Sequence, residues 1–470
     1  MGSPATPHTR SADSLASEAG QGSQRSVNRD LAWVIALALL VRLVALVATS
    51  PTGLMNDELD YHHQAAQVAR GTPLGDANGR PPGVILLYAG LYRVFGAAPA
   101  VARSANVALD VLCVALVFLI GRSFSGRRVG LIAALIAACY PSFIGFSHAL
   151  WSEPLYLAFT LIALALVLAY RERHTSWKLV GAGFAFGFAA LTREVGLVTA
   201  VLTAGWLAFD TRPAFKSGAL RAALLLAPVF LVLLPWSAHV RGETGQFVLS
   251  SGTTWFNLYV GNGESANIRG QSVAPWSLYP ALGKTRMERE HAARKLSLGA
   301  IANRLPWWPF EKLTELGDLF APHSFMTRRL SYGPGNPLPP PWFGSGDPGY
   351  TFRFEALNSW SFRRGAILFC SASYVLLILG GIAGLILARN RSGARLFLLV
   401  MLAHVAPTLA AFALTRHRLP LMMIMTVTAA TLIADLPGCW RDASRARRGV
   451  ALVITGAMLA LLALAPEPLK

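Results

Sequence analysis

The sequence predicts an all-α polytopic membrane protein, and three observations carry that prediction. Of 470 residues, 54% are hydrophobic and only 14% charged, with a mean hydropathy of +0.46, whereas soluble domains carry roughly 25% charged residues. Apolar runs of about 20 residues, the length that crosses a bilayer, recur along almost the whole chain. Between them the basic residues fall in short clusters, so the net charge of +18 reads as membrane topology and not as a nucleic-acid surface. Cys113, Cys139 and Cys370 lie in apolar runs and Cys439 beside a basic loop. Their spacing suggests neither a disulfide framework nor a zinc site.

Taken in order, residues 1–29 are rich in Ser, Gly and Ala and read as a disordered cytoplasmic tail. The run Leu31 to Ala48 has no small-residue cleavage pattern and is the first span. It opens an N-terminal membrane region, residues 30–237, whose first outer stretch, 50–100, holds an acidic cluster. Basic clusters at Arg122, Arg127 and Arg128, at Arg171, Arg173 and Lys178, at Arg212, Lys216 and Arg221, at Arg389, Arg391 and Arg395, and at Arg441 to Arg448 mark cytoplasmic turns. An even number of crossings must separate neighbouring clusters. The run Leu179 to Phe209 is too long for one crossing, so it turns at Thr192-Arg193-Glu194. About 11 transmembrane helices result, with the N-terminus cytoplasmic and the C-terminus outside. Residues 238–364 form a large extracytoplasmic segment carrying Trp255, Trp276, Trp307, Trp308, Trp342 and Trp360, which suggests interfacial helices lying flat on the membrane. Residues 284–304 are amphipathic in places, Gly333 to Gly349 read as an irregular Pro/Gly-rich loop, and residues 365–470 return as C-terminal spans.

Ionisable groups at a membrane surface invite a functional explanation. In Asp57-Glu58-Leu59-Asp60-Tyr61-His62-His63-Gln64, helical spacing puts Asp57, Asp60, Tyr61 and Gln64 on one face. A carboxylate there can accept a proton from a hydroxyl. The plainer reading is that acidic residues favour a first helical turn. Glu153, in Trp151-Ser152-Glu153-Pro154, is a second outer acid and equally a helix-entry signal. Arg80, Arg193 and Arg416-His417-Arg418 sit at outer span ends, against the positive-inside trend. Each alone can snorkel to head groups. Together with the acids they suit an anionic ligand, because a guanidinium fork binds two phosphate oxygens. His62 and His63 point about 100° apart on a helix and rarely ligate one ion together. No cofactor is expected, a divalent cation on the acid-rich stretch being the alternative.

The chain resembles the polyprenyl-phosphate-sugar-dependent GT-C glycosyltransferases, the superfamily of protein O-mannosyltransferases and the lipid A aminoarabinose transferase. The resemblance rests on Asp57-Glu58 with Tyr61 and Ala65 after the first span, Arg80-Pro81-Pro82, and Arg103, Asn106 and Gly121 about the second span. It continues through Tyr140-Pro141 before Glu153, the Gly-rich stretch Gly183 to Arg193, Pro235-Trp236, Asn257-Leu258, Gly261-Asn262 and Arg416-His417-Arg418-Leu419-Pro420. Two departures stand out: Gly83 follows Pro82 where a large apolar residue is common, and His417 replaces an aromatic residue.

The resemblance implies a GT-C-like bundle with extracytoplasmic juxtamembrane helices in a bacterial inner membrane. It implies a sugar moved from a polyprenyl-phosphate donor to an acceptor hydroxyl on a glycolipid, polysaccharide or protein, with inversion. Asp57 would be the base, with Glu58 beside it and Glu153 orienting a substrate. Tyr61, Arg80, Arg193, Arg416 and Arg418 would line the substrate site, with Arg80, Arg193 and Arg416 or Arg418 holding the lipid phosphate. The alternative from another class is a secondary transporter or lipid flippase. Against it, no paired halves are visible, and the acids and arginines gather at one membrane face.

Overall fold

The computed structural model describes residues 12–49, 54, 57–75, 79–209, 215–263, 278–322, 324–331, 352–388 and 393–464. The chain opens with helices α1 (Ala12–Ala48), α2 (Asp57–Ala69), α3 (Gly83–Phe95), α4 (Pro99–Ser125), α5 (Arg127–Cys139) and α6 (Pro141–Phe146). Next come α7 (Glu153–Arg173), α8 (Trp177–Thr192), α9 (Val195–Phe209) and α10 (Phe215–Thr244). The outer segment supplies α11 (Thr254–Asn262), α12 (Arg286–Arg304), α13 (Trp308–Leu319) and α14 (Phe325–Ser331). The chain re-enters the bundle with α15 (Trp360–Leu387), α16 (Ala394–Ala410), α17 (Leu419–Ala434), α18 (Leu436–Asp442) and α19 (Arg445–Leu464). Among the described residues the only β pairing is an isolated bridge from Thr49 to Phe352, which ties the end of α1 to the outer segment.

Helices stand at all the positions expected of spans, but among the described residues seven are long and apolar enough to cross a membrane: those of α1, α4, α7, α10, α15, α17 and α19. At the other span positions α5, α8, α9 and α16 have 13, 16, 15 and 17 residues. At 1.5 Å per residue they reach roughly 20–26 Å, short of a hydrocarbon core of about 30 Å. The chemistry at their ends explains the shortness. Pro141 stops α5 and starts α6, and Arg193 and Glu194 break α8 from α9. Helix α1 starts at Ala12 and takes in residues 12–29 of the expected tail, a stretch with no proline between Pro7 and Pro51 to interrupt it. Residues 1–11 lie outside the described residues, as do Trp276, Trp342 and the Gly333–Gly349 loop.

The core is one large apolar cluster shared by the membrane helices. Extensive pairings join α4 to α5, α7 to α8, α8 to α10 and α15 to α17. Small residues set these distances. A methyl group on Gly183 of α8 would overlap the Leu225 carbonyl oxygen of α10. Inside the bundle, Arg42 of α1 is fully buried and its Nε donates to Asp110 Oδ2 of α4 at 2.6 Å. Its Nη1 also donates to the Ala138 carbonyl at 2.6 Å, satisfying the frayed end of α5.

The bundle has two chemically distinct ends. At one, Arg127 pairs with Asp30, Ser123 donates to Glu172, and Gly393 lies against Phe124 and Leu168. The basic turns 122–128 and 171–178 and the start of α16 therefore share that end. At the other lie the starts of α2 and α7, the α8–α9 break, the turn before α17 and the outer segment. There α12 begins with a capping box in which Thr285 Oγ1 accepts from Glu288 N and the Glu288 carboxylate accepts from Thr285 N.

Candidate active site

Helix α2 begins at Asp57 and places Asp57, Glu58 and Asp60 in its first turn, where the helix dipole favours negative charge. Helical rotation then separates their roles. Asp57 and Asp60 meet Arg80, whose Nη2 donates to Asp57 Oδ1 at 2.8 Å and to Asp60 Oδ2 at 3.0 Å. The second oxygen of Asp57 accepts from Nη1 of Arg416 at 2.8 Å. One carboxylate is thus clasped by two guanidinium groups brought from distant parts of the chain. The arginines rest on rings: Arg80 lies 5.2 Å from the centroid of Tyr61, and Arg416 lies 4.9 Å from that of Trp151. The side chains of Asp57, Arg80 and Arg416 keep 22%, 27% and 25% of their surface, so the clasp is open on one side. The Nε of Arg416 is buried without a hydrogen-bond partner among the described residues. Burial raises the Asp57 carboxyl, but Arg416 and Arg80 outweigh it and hold the group well below the usual carboxylate range.

A second acid–arginine pair lies alongside. Glu153 opens α7, and its Oε1 accepts from Arg193 Nη1 at 2.7 Å, while the same nitrogen donates to Ser152 Oγ at 3.0 Å. The loop that joins the two pairs is pinned along its length. Arg103 donates to the His148 carbonyl at 3.3 Å, Asn106 Nδ2 to the Ala149 carbonyl at 2.6 Å, and Leu150 N to Glu58 Oε1 at 3.0 Å. The unusual Gly83 has a physical reason. A Cβ there would lie 2.7 Å from Thr192 Oγ1 and 3.0 Å from the Leu191 carbonyl, so glycine lets the start of α3 abut the end of α8. That contact sets Arg80 beside the turn that carries Arg193.

The structure therefore gathers Asp57, Arg80 and Arg416 at one point and Glu153 with Arg193 next to it. Tyr61 is 5% exposed and supports Arg80 with its ring face. Two of the expected site residues are placed apart from the open clasp. Glu58 is only 2% exposed, and its Oε2 accepts from Arg329 Nη2 of α14 at 3.0 Å while Oε1 holds Leu150 N. With both oxygens enclosed it ties α2 to the loop and the outer segment, and it has no open side for substrate. Arg418 is 3% exposed. It faces away from the acids, donating to the Leu319 and Ala321 carbonyls and stacking 3.8 Å from the Tyr374 ring centroid. The partner that sequence reasoning missed is Arg329, which lies in a short polar stretch with no periodic signal. Among the described residues no three His, Cys, Asp or Glu side chains converge to hold a metal ion. His62 is engaged by the Tyr92 hydroxyl at 2.9 Å, and its ring is 5.9 Å from that of His63. Beside the site runs an apolar cavity of about 320 Å³ lined by Leu74, Pro82, Leu86, Leu191, Pro235 and Trp236 among others.

Comparisons with known proteins find a partial family match and a shared fold. Residues 79–238 match the family model of dolichyl-phosphate-mannose-protein mannosyltransferases. Among solved structures, the chain is similar to the archaeal oligosaccharyltransferase AglB from Archaeoglobus fulgidus in complex with an inhibitory peptide and a dolichol-phosphate. That match has 17% identity and a TM-score of 0.50 over 93% of this chain and 55% of AglB. The Saccharomyces cerevisiae protein O-mannosyltransferase Pmt1–Pmt2 complex bound to the sugar donor is 20% identical over 52% of this chain and 37% of that one, with a TM-score of 0.41. ArnT from Cupriavidus metallidurans in the apo state is 15% identical over 85% of this chain and 76% of its own, with a TM-score of 0.42. No curated protein matches the chain in sequence. The chain spans about half the length of the archaeal protein and less of the yeast one.

Proposed function

We propose that the protein is an integral-membrane inverting glycosyltransferase that takes a sugar from a polyprenyl-phosphate donor to an acceptor hydroxyl. The observation that carries this reading is the clasp of Asp57 by Arg80 and Arg416, a base and a phosphate cradle within one hydrogen bond of each other. The mannosyltransferase model over residues 79–238, which contains Arg80, Glu153 and Arg193, and the dolichol-phosphate held by AglB support the donor class. The apolar cavity running from Pro82 to Trp236 suits the first isoprene units of the lipid.

In the resting site Asp57 occupies the place of an anion. An arriving donor phosphate competes for Arg80 and Arg416 and brings an acceptor for the orphan Nε of Arg416. The carboxylate it displaces loses its counter-charges, so its proton affinity rises toward the ordinary value. The acceptor oxygen then attacks C1 of the sugar as its proton passes to Asp57. The C1–O bond to phosphate breaks, its electron pair stays on the phosphate oxygen, and the arginines stabilise the charge that develops there. A single displacement inverts the anomeric centre. Glu153, steered by Arg193, orients the acceptor. We place the site on the extracytoplasmic face of the inner membrane, with the N-terminus in the cytoplasm and the basic turns on the inside.

The test is release of polyprenyl phosphate from a panel of labelled polyprenyl-phosphate sugars, supplied with glycolipid, polysaccharide and peptide hydroxyl acceptors. Wild-type protein releases it from one donor, and Asp57→Asn binds that donor with turnover reduced at least ~100-fold, the low end of general-base effects. Near-normal turnover by Asp57→Asn removes Asp57 as the base. Folded wild-type protein that releases nothing from any pairing overturns the transferase reading.

A further inference from the structure

The turn that carries Arg416 has no strong internal structure. It is a single 3₁₀ turn, Thr415–Arg418, between the end of α16 and the start of α17. Its placement comes from α13, a helix of the outer segment that lies far away in sequence. Before Arg416, Lys312 Nζ of α13 donates to the Ala411 carbonyl at 3.2 Å, to the Gly261 carbonyl at 2.7 Å and to Glu315 Oε1 at 2.6 Å. The other oxygen of Glu315 accepts from Ala413 N at 3.0 Å. Asn262, itself fixed by Trp308 Nε1 at 2.7 Å, donates to the Ala410 carbonyl at 2.8 Å. After Arg416, the guanidinium of Arg418 donates to the carbonyls of Leu319 and Ala321 at the end of the same helix. The Tyr374 hydroxyl donates to the Phe320 carbonyl between them at 2.9 Å.

These contacts bracket Arg416 on both flanks and leave its own side chain free to face Asp57. A buried ammonium beside a half-buried carboxylate is costly, and the cost is offset here because each also holds backbone groups. The Lys312 side chain is 8% exposed and that of Glu315 16%. Nothing in the transfer chemistry uses either group, and neither touches the clasp.

We infer that Lys312 and Glu315, with Arg418 on the far flank, are positioning residues that hold the Arg416 turn in register for the donor phosphate. The inference rests on the phosphate role proposed for Arg416. It also gives the outer segment a defined role, because α13 becomes the frame against which half of the anion cradle is built. A cradle made of two arginines from separate elements binds phosphate tightly only if both forks are aimed in advance, because each immobilised side chain otherwise costs entropy on binding.

A double-mutant cycle tests this with polyprenyl phosphate itself as the probe, bound to the purified full-length chain in detergent micelles. Arg416→Ala weakens binding about tenfold or more, the cost of a charge-assisted phosphate contact. Lys312→Met weakens it about fivefold when Arg416 is present and less than twofold on the Arg416→Ala background, since a frame has no effect once its object is gone. Glu315→Gln, which keeps an acceptor for Lys312, repeats the cycle with a smaller first step, and serves if Lys312→Met does not fold. A thermal melt of each variant separates loss of folded protein from loss of affinity. Losses that simply add show that α13 supports the fold without aiming Arg416, and the inference fails while the phosphate site stands. Unchanged binding by Arg416→Ala overturns the phosphate site and the inference with it.

Discussion

Asp57 divides its oxygens between Arg80 and Arg416 and stays partly open, whereas Glu58, one residue on, is enclosed by Arg329 and the Leu150 amide. About 100° of helical rotation separates a partly open carboxylate from an enclosed one. The sequence could show that two acids sat where acids are expensive, and it could pick out Arg80, Arg193 and Arg416 as charges on the wrong side of a positive-inside pattern. It could not show which acid faced which way, because the rotation of α2 is set by Tyr61 and Ala65 packing against α3 and Leu150, a contact between distant segments. Nor could it choose between Arg416 and Arg418, which share a short turn, although Arg418 reaches the Leu319 and Ala321 carbonyls. The two acids should part company in the laboratory. Glu58→Gln removes the negative charge from a buried ion pair with Arg329 and is expected to cost about 3 kcal/mol of stability. Asp57→Asn should cost less, since its partners are partly solvated. Thermal unfolding in detergent measures both. A Glu58→Gln protein with a wild-type melting profile but no turnover would return Glu58 to the chemistry.

Among the elements, the long helices were legible because about 20 apolar residues have few alternatives to spanning a bilayer, and the acid-rich α2 was legible from its periodicity. The short ones were legible only in part. The α8–α9 break falls at the expected Thr192-Arg193-Glu194 turn, but the length of α5 depends on Pro141, and α3 lay hidden within what read as a loop. The α3–α8 contact offers a sharp check. Gly83→Ala forces a methyl group against the Leu191 backbone carbonyl at 3.0 Å, so α3 must shift by a few tenths of an ångström, carrying Arg80 with it. We expect a stability loss of roughly 1–3 kcal/mol and weaker polyprenyl phosphate binding. Gly90→Ala, on the same helix with nothing within 4 Å of the added carbon, should be neutral or gain up to about 1 kcal/mol from helix propensity. Equal effects from the two substitutions would show that close approach to α8 is not what glycine provides at position 83.

For the molecule as a whole, the two ends of the bundle carry different physics, and the proposed function needs one particular orientation in the membrane. One end gathers Arg and Lys in short turns, the pattern that the positive-inside rule associates with the cytoplasmic side. The other concentrates ion-paired acids and arginines beneath an outer segment, where Met287, Trp307, Phe310 and Leu313 are exposed, as on a surface resting against lipid. A donor whose sugar is presented outside the cell can be used only if the second end faces outward. Single cysteines decide the matter, introduced at the exposed Thr175 of the basic end and the exposed Lys284 of the site end after Cys113, Cys139, Cys370 and Cys439 are replaced. A membrane-impermeant maleimide should label Lys284→Cys in intact cells and Thr175→Cys only after permeabilisation. The reverse pattern would place the clasp in the cytoplasm. The net charge of +18 would then have to be explained by something other than topology, and the extracytoplasmic donor would have to be abandoned.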